Sequence, residues 1–357
     1  MMISKATVRT LAVPLSIPYT IAYETITDVT NHFLIIQTDA GETGIGCAAP
    51  AFGVTGETNE MSRLALNQIA KDIIGCAPSD VLLNTYAATP SAQTALDLAL
   101  ADLLSKSQDL SVGEWLKGSK ARFQPVVTSV TIGIMNVEET LQRAQALFQE
   151  GFTFLKIKGG HDIGVDLERL QALHEELGEK CWIALDANQG YSVQDVAALE
   201  AVASSLDLKY LEQPTPKDDL NLLRAATEST SIPVMADESV QTIEDAKRIV
   251  DGQSAALINI KLQKMGGLAA AIKIDQIALD GGVRTMLGCM DESALSIAAA
   301  LHFGAARPNV QYYDLDGHLD LLEDPFESLV SLSDGKLNVK SSKGLGIADD
   351  VETLWSE

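Results

Sequence analysis

Lys156, Lys158, Asp186, Glu212, Asp237, Lys261 and the pair Asp314 and Asp316 sit at the ends of apolar runs that recur roughly every 24 to 28 residues, the length of a strand plus a helix in a β/α repeat. In a barrel of such repeats the C-terminal strand ends converge on one mouth. Residues distant in the chain then form one ring, with three carboxylates flanked by lysines from opposite sides. The spacing predicts a parallel barrel whose chemistry lies at one end.

Strand-like runs cover 126–132, 153–158, 181–186, 209–212, 232–236, 255–260, 283–287 and 310–313. Helical patterns separate them. Asn136-Val137-Glu138-Glu139 reads as a capped helix start, and the Gly266-Gly267 turn precedes an apolar helix over 268–279. Ahead of the repeats, strands over 3–13 and 32–39 are joined by residues 18–31, with Asp39-Ala40-Gly41-Glu42 as the next turn. Helices follow over 58–74 and 92–106, the latter with Ser91 as its N-cap. A chain of 357 residues exceeds what one core usually supports. It divides into an α+β module (1–118) and a barrel (119–319), with the tail (320–357) returning to pack on the first module.

A formal net charge of −23 opposes binding to nucleic acid and to anionic membrane surfaces. The most apolar late stretch, 294–306, is interrupted by Ser296 and His302 and is too short to cross a bilayer. Residues 1–9 alternate as a strand rather than as an export signal. Cys47, Cys76, Cys181 and Cys289 are widely spaced with no C-x-x-C pair. They read as reduced thiols of a cytoplasmic protein.

Alternation along Phe154-Leu155-Lys156-Ile157-Lys158 points both lysines to one face. Two lysines inside a barrel are costly unless used, and mutual repulsion lowers the pKa of each, which suits a base. An exposed K-x-K edge is the competing reading. Asp186, Glu212 and Asp237 each end a strand, and a single such acid is usually a helix cap or a solvated loop residue. Three on consecutive strands, with Asn188 and Gln213 adjacent as supporting amides, suit a hard cation held by oxygen, hence Mg²⁺ rather than Zn²⁺. Lys261 falls on the sixth strand and Lys158 on the second, opposite each other in a ring of eight. A carbon held between them can lose a proton to one lysine and regain it from the other, inverting its configuration while Mg²⁺ stabilises the enolate. Lys264 reads as a supporting residue.

The ordered motifs Thr131-Ile132-Gly133, Leu155-Lys156-Ile157-Lys158, Asp186-Ala187-Asn188-Gln189, Glu212-Gln213-Pro214, Ala236-Asp237-Glu238-Ser239, Asn259-Ile260-Lys261-Leu262 and Asp314-Leu315-Asp316 span nearly the whole chain. Together they resemble the enolase superfamily, in its muconate lactonizing branch, and within it the dipeptide epimerases. The resemblance implies a modified (β/α)₇β barrel with an N-terminal capping domain and a closed oligomer. It implies Asp186, Glu212 and Asp237 as Mg²⁺ ligands, Lys158 and Lys261 as the acid/base pair, and Lys156 as an aid to Lys158 and the substrate carboxylate. It also places Thr131 against substrate and gives Asp314 and Asp316 the α-ammonium of a dipeptide, which two carboxylates can hold by charge-assisted hydrogen bonds. An acidic turn before Gly317 is the competing reading of that pair.

One departure bears on the side chain accepted. Relatives that act on alanyl-glutamate hold the glutamate with a basic cap-loop residue, and residues 19–28 supply none. Glu24, Asp28 and Asp291 instead favour a cationic second residue. Tyr23 and Phe52, with Tyr19, Ile21 and Met290 nearby, favour an apolar one. Ordinary surface acids and cap-domain core remain open at these positions. A lyase of the same branch, of the o-succinylbenzoate synthase or cycloisomerase type, is the alternative enzyme. A non-catalytic peptide- or metal-binding barrel is the alternative of another class.

Overall fold

A computed structural model describes residues 1–20, 25–83, 88–340 and 342–348. Strands Ile3–Thr20 (β1), Thr25–Thr38 (β2) and Thr43–Ala48 (β3) form an antiparallel sheet in that order, backed by helices Asn59–Asp72 and Pro90–Ser107. The first two strands run further than the sequence suggested, because after an irregularity beyond Pro14 and Asp28 pairing resumes in a shifted register, Tyr19 with Ile26 and Thr20 with Thr25. β-branched Thr25, Ile26, Thr27, Val29 and Thr30 favour this extension, and proline is tolerated in β1 because it is an edge strand. Ser91 is not the N-cap. Thr89 takes that place, Pro90 opens the helix, and the Ser91 amide and hydroxyl donate to the buried Glu57 carboxylate at 3.2 and 2.6 Å.

The expected strand over 126–132 is split. Val126–Val127 (β4) joins a separate small sheet, while Val130–Ile132 (β5) starts the barrel. Between them the buried Thr128 hydroxyl accepts from Leu315 N at 2.9 Å and the Ser129 hydroxyl donates to Asp314 at 2.5 Å. Phe154–Lys158 (β6), Trp182–Asp186 (β7), Leu211–Glu212 (β8), Val234–Ala236 (β9), Leu257–Lys261 (β10), Arg284–Gly288 (β11) and Val310–Asp314 (β12) follow in consecutive parallel order. Ser129 N donates to Tyr313 O at 2.9 Å across the seam between the first and last barrel strands.

Helices Val137–Gln149, Ile163–Leu177, Val193–Leu206, Leu220–Glu228, Ile243–Asp251, Leu268–Asp280 and Ala294–Ala306 connect successive strands. Among the described residues no α-helix follows β12, only the 3₁₀ turn Glu327–Leu329, so the barrel is the (β/α)₇β variant. Asn136 and Glu139 form the expected capping box. The tail contributes Val330–Ser333 (β13) and Lys336–Val339 (β14), which pair with β4 rather than with the N-terminal sheet. It also reaches the N-terminal module, with the Phe326 ring 5.2 Å from Phe33 and Leu345 N donating to Asp102 at 2.8 Å.

Strand periodicity sorts the barrel interior into layers. Outward residues such as Leu155, Ile157, Ile183 and Leu185 pack under the helices. The inward column of β6 reads Phe154, Lys156, Lys158 from bottom to top. Corresponding columns read Ala184 then Asp186, Tyr210 then Glu212, Met235 then Asp237, and Leu257, Asn259, Lys261. The lower members, with Met286 and Tyr312, form an apolar floor. The upper members are charged and form the mouth.

The N-terminal sheet is fastened beside that mouth. Gln263, two residues beyond Lys261, accepts from Ala49 N at 2.9 Å and donates to Cys47 O at 3.1 Å. Asp97 accepts from Leu268 N at 2.6 Å, against Gly267 at φ 105°, where a Cβ would collide with the same carboxylate. All four cysteines are free. No described helix is long and apolar enough to cross a membrane.

Candidate active site

The mouth brings the strand-end residues together. Asp186 is in register with Lys158 on one side and Glu212 on the other. Lys158 Nζ lies 2.7 Å from Asp186 and 3.0 Å from Asn188 Oδ1, while Lys261 Nζ lies 2.9 Å from Asp237. The two lysines, four strands apart, therefore enter the cavity from opposite sides, each against a different carboxylate. Lys156 is central and almost inaccessible, with Asp186 at 3.0 Å, Glu212 at 2.8 Å and Asp314 at 2.8 Å.

Repulsion from Lys158 is therefore not what dominates Lys156. Burial favours its neutral form, but the carboxylates of Asp186, Asp314 and Glu212 outweigh it and hold the ammonium well above the ordinary lysine range. Lys261 is raised in the same way, mainly by Asp237 against burial. Burial would raise Asp186, yet Lys156 and Lys158 hold it at about 2. Glu212, by contrast, is pushed up to about 8 by burial and the neighbouring Asp186.

Two amides brace these groups. Asn188, in left-handed backbone at φ 40°, accepts from Lys158 and donates to Glu238 at 3.2 Å. Gln213, at φ 33°, accepts from Asp237 N at 2.9 Å and Ser239 N at 3.1 Å. Lys264, as a support residue should, donates to Asp237 Oδ1 at 2.6 Å and to Asn259 O at 3.1 Å.

Among the described residues no three acidic, histidine or cysteine side chains already converge as a closed metal cluster, because lysine ammoniums interleave with the carboxylates. The donor chemistry nevertheless fits a divalent cation. Six acids, Asp186, Glu212, Asp237, Glu238, Asp314 and Asp316, share this largely buried space with four lysines, Lys156, Lys158, Lys261 and Lys264, so with all of them ionised two carboxylates would have no lysine to balance them. Glu212 Oε2 has no aligned hydrogen-bond donor although Lys156 lies 2.8 Å away. Oxygen-only ligands on three adjacent strands suit Mg²⁺.

A cavity of about 630 Å³ opens above the charged layer, lined by Thr131, Lys156, Lys158, Asn188, Asp237, Lys261, Met290, Asp314 and Asp316 and, toward the rim, by Ile26, Asp28, Phe52 and Asp291. Phe52 is 69% exposed, a rim residue rather than cap core. Tyr23 and Glu24 lie outside the described residues.

The Asp314 and Asp316 pair divides. Asp314 is buried and occupied by Lys156 and by the Ser129 hydroxyl at 2.5 Å. Asp316 accepts from Thr131 N at 2.8 Å and more weakly from the Cys289 thiol at 3.8 Å and faces the cavity, with burial and the neighbouring Asp314 pushing it up to about 6. Sequence reasoning missed Arg143, a cation on the lining from the helix after β5. It ends no strand, so the strand-end rule could not find it.

Fold and site define a class: a capped barrel enzyme with opposed lysines over a nest of buried carboxylates. Residues 3–116 match the mandelate racemase / muconate lactonizing enzyme N-terminal domain, and residues 139–353 match the enolase C-terminal domain-like family. The chain belongs to the mandelate racemase and muconate lactonizing enzyme family of the enolase superfamily. An L-Lys-D/L-Arg epimerase from Methylococcus capsulatus is 39% identical over 355 residues, covering 97% of this chain and 99% of the relative. A dipeptide epimerase from Enterococcus faecalis, solved with Mg and L-Leu-L-Tyr, has a TM-score of 0.90 at 32% identity over 98% of this chain and 100% of that one. A substrate-liganded L-Ala-D/L-Glu epimerase from Bacillus subtilis has a TM-score of 0.91 at 32% identity over 97% and 99%.

Proposed function

We propose that this chain is a Mg²⁺-dependent dipeptide epimerase that inverts the α-carbon of the C-terminal residue by proton transfer between two bases. The observation that carries this reading is the opposition of Lys158 on β6 and Lys261 on β10 across one cavity. One lysine takes the α-proton from its face and the other returns a proton to the opposite face. Held by Asp186, Glu212 and Asp237, Mg²⁺ supplies electrostatic stabilisation of the negative charge that gathers on the substrate carboxylate as the proton leaves. Lys156 keeps an ammonium beside that carboxylate. Asp316, facing the cavity, receives the α-ammonium, while Asp314 orients Lys156 from behind.

This division also weighs against a lyase of the same branch, whose anionic substrates have no use for an ammonium site. Among the relatives, one is named for Lys and Arg and another was solved with Leu and Tyr. The rim here combines Asp28 and Asp291 with Ile26, Phe52 and Met290. We read the accepted second side chain as cationic or apolar rather than glutamyl.

The test is incubation of the Mg²⁺-loaded protein with L,L-dipeptides in D₂O, following α-deuterium by mass spectrometry and epimer ratio by chiral chromatography. Exchange with inversion is expected for alanyl-lysine, alanyl-arginine or apolar dipeptides. High rates with alanyl-glutamate alone would overturn the specificity. Absence of exchange from every dipeptide would overturn the reaction.

A further inference from the structure

The two lysines are held by unlike supports. Lys264 braces the Lys261 side by binding Asp237 and the Asn259 carbonyl. On the Lys158 side an equivalent brace comes from a helix outside the barrel. Arg169, on Ile163–Leu177, is completely buried and donates to Lys158 O at 2.6 Å, Gly133 O at 2.8 Å, the Thr140 hydroxyl at 2.9 Å and Asp166 Oδ1 at 3.0 Å. Asp166 Oδ2 in turn accepts from Gly160 N at 2.9 Å and from the Tyr191 hydroxyl at 2.7 Å.

The β5–β6 register ends at Ile132 and Ile157, one residue short of both carbonyls. Each would otherwise be a buried acceptor beyond the ladder, and the planar guanidinium reaches both at once. The turn after Lys158 is equally constrained. A Cβ at Gly159 would meet Asp166 Oδ2 at 2.6 Å, and one at Gly160, where φ is 99°, would meet Ala187 O at 2.2 Å. The turn thus closes directly onto the Asp166 carboxylate.

We propose that Arg169, with Asp166 and Tyr191, is the positioning device for the Lys158 face alone. This rests on the two-base reading above. Arg169 touches neither cavity nor substrate and acts by fixing the backbone from which Lys158 projects. A shift on the order of 1 Å in a reacting group can cost about 10²-fold in rate, and here the extra cost falls on α-proton exchange from the one epimer whose proton faces Lys158, while inversion slows equally in both directions. Loss of a merely structural residue would depress exchange from both epimers together.

The test uses α-deuterium exchange in D₂O, measured separately from each purified epimer of a dipeptide the wild-type protein accepts, at saturating Mg²⁺. Lys158→Ala identifies the epimer that depends on Lys158. Arg169→Lys keeps the charge but loses the fork, and exchange from that epimer should fall by on the order of 10- to 100-fold more than exchange from the other, with KM changing equally for both. Tyr191→Phe removes one hydroxyl and should skew the ratio the same way more weakly. It decides the matter if Arg169→Lys does not fold. Equal losses for the two epimers, or an unchanged ratio, overturn the proposal. A wild-type protein that exchanges neither epimer of any dipeptide overturns the reaction itself, which is a separate result.

Discussion

The floor and the mouth of the barrel are built by the same strands two residues apart, yet they obey opposite rules. In the floor, buried Phe154 meets Trp182, Tyr210 and Tyr312 edge-on with ring centroids 5.6 to 6.0 Å apart, an arrangement held by packing although Trp182 itself is half exposed. In the mouth, Lys156 and Lys158 on that same strand meet buried carboxylates at 2.7 to 3.0 Å. Buried charge adds little to stability unless fully paired, whereas apolar burial stabilises directly. The floor supplies the rigidity against which the mouth can hold expensive groups for chemistry.

Removing the metal should give the largest effect and separate the two layers most sharply. Chelation is expected to abolish epimerisation, and Mg²⁺ should restore it. A thermal scan should show the fold surviving, with Mg²⁺ adding about 2.7 kcal/mol at 100-fold excess over Kd. Unfolding upon chelation would mean that the metal, not the floor, holds the barrel. The converse change is Phe154→Ala, expected to cost about 3–5 kcal/mol in chemical denaturation while kcat of the folded fraction stays near wild type.

A pH series tests stability away from both layers. His302 is lowered to about 4 by burial, with Gly113 N donating to its Nδ1 at 3.1 Å. A depressed histidine contributes stability that is complete above the unfolded pKa of 6.5 and is lost as pH falls toward 4. Between those values the unfolded chain binds the extra proton. The unfolding free energy of the wild type relative to a His302→Gln variant should fall by about 1.4 kcal/mol per unit below pH 6.5, and a flat difference would show that burial does not hold His302 neutral in the fold.

The smallest effect belongs to Tyr210, on the boundary, whose ring lies in the floor and whose buried hydroxyl has no hydrogen-bond partner among the described residues. Tyr210→Phe should gain about 1 kcal/mol in denaturant titration and leave kcat unchanged. A marked loss of kcat would move that hydroxyl into the mouth.

This layering explains what could be read in the sequence. Inward columns such as Phe154, Lys156, Lys158 follow from strand periodicity, and strand-end charges follow from barrel topology, so a parallel β/α barrel and the gathering of Lys158, Lys261, Asp186, Glu212 and Asp237 were legible, while the (β/α)₇β form came with the family resemblance. Partner choice was not. Nothing in Asp314-Leu315-Asp316 announces that the first acid is taken by Lys156 and Ser129, because both partners are more than 150 residues away. Ser91 looked like a cap until Glu57, 34 residues earlier, claimed it. Arg143 and Arg169 lie on helices whose amphipathic pattern gives no sign of which strand end they reach.

The most direct measurement is α-deuterium exchange from each epimer of one accepted dipeptide by Lys158→Ala and Lys261→Ala, with the Mg²⁺-loaded wild-type protein alongside. Each variant should lose epimerisation by roughly 10²–10⁴-fold, yet each should still exchange the epimer whose proton faces the lysine it retains, so that the two variants lose opposite epimers. Loss of the same epimer in both, or exchange of neither epimer by either variant, would contradict proton transfer between opposed lysines.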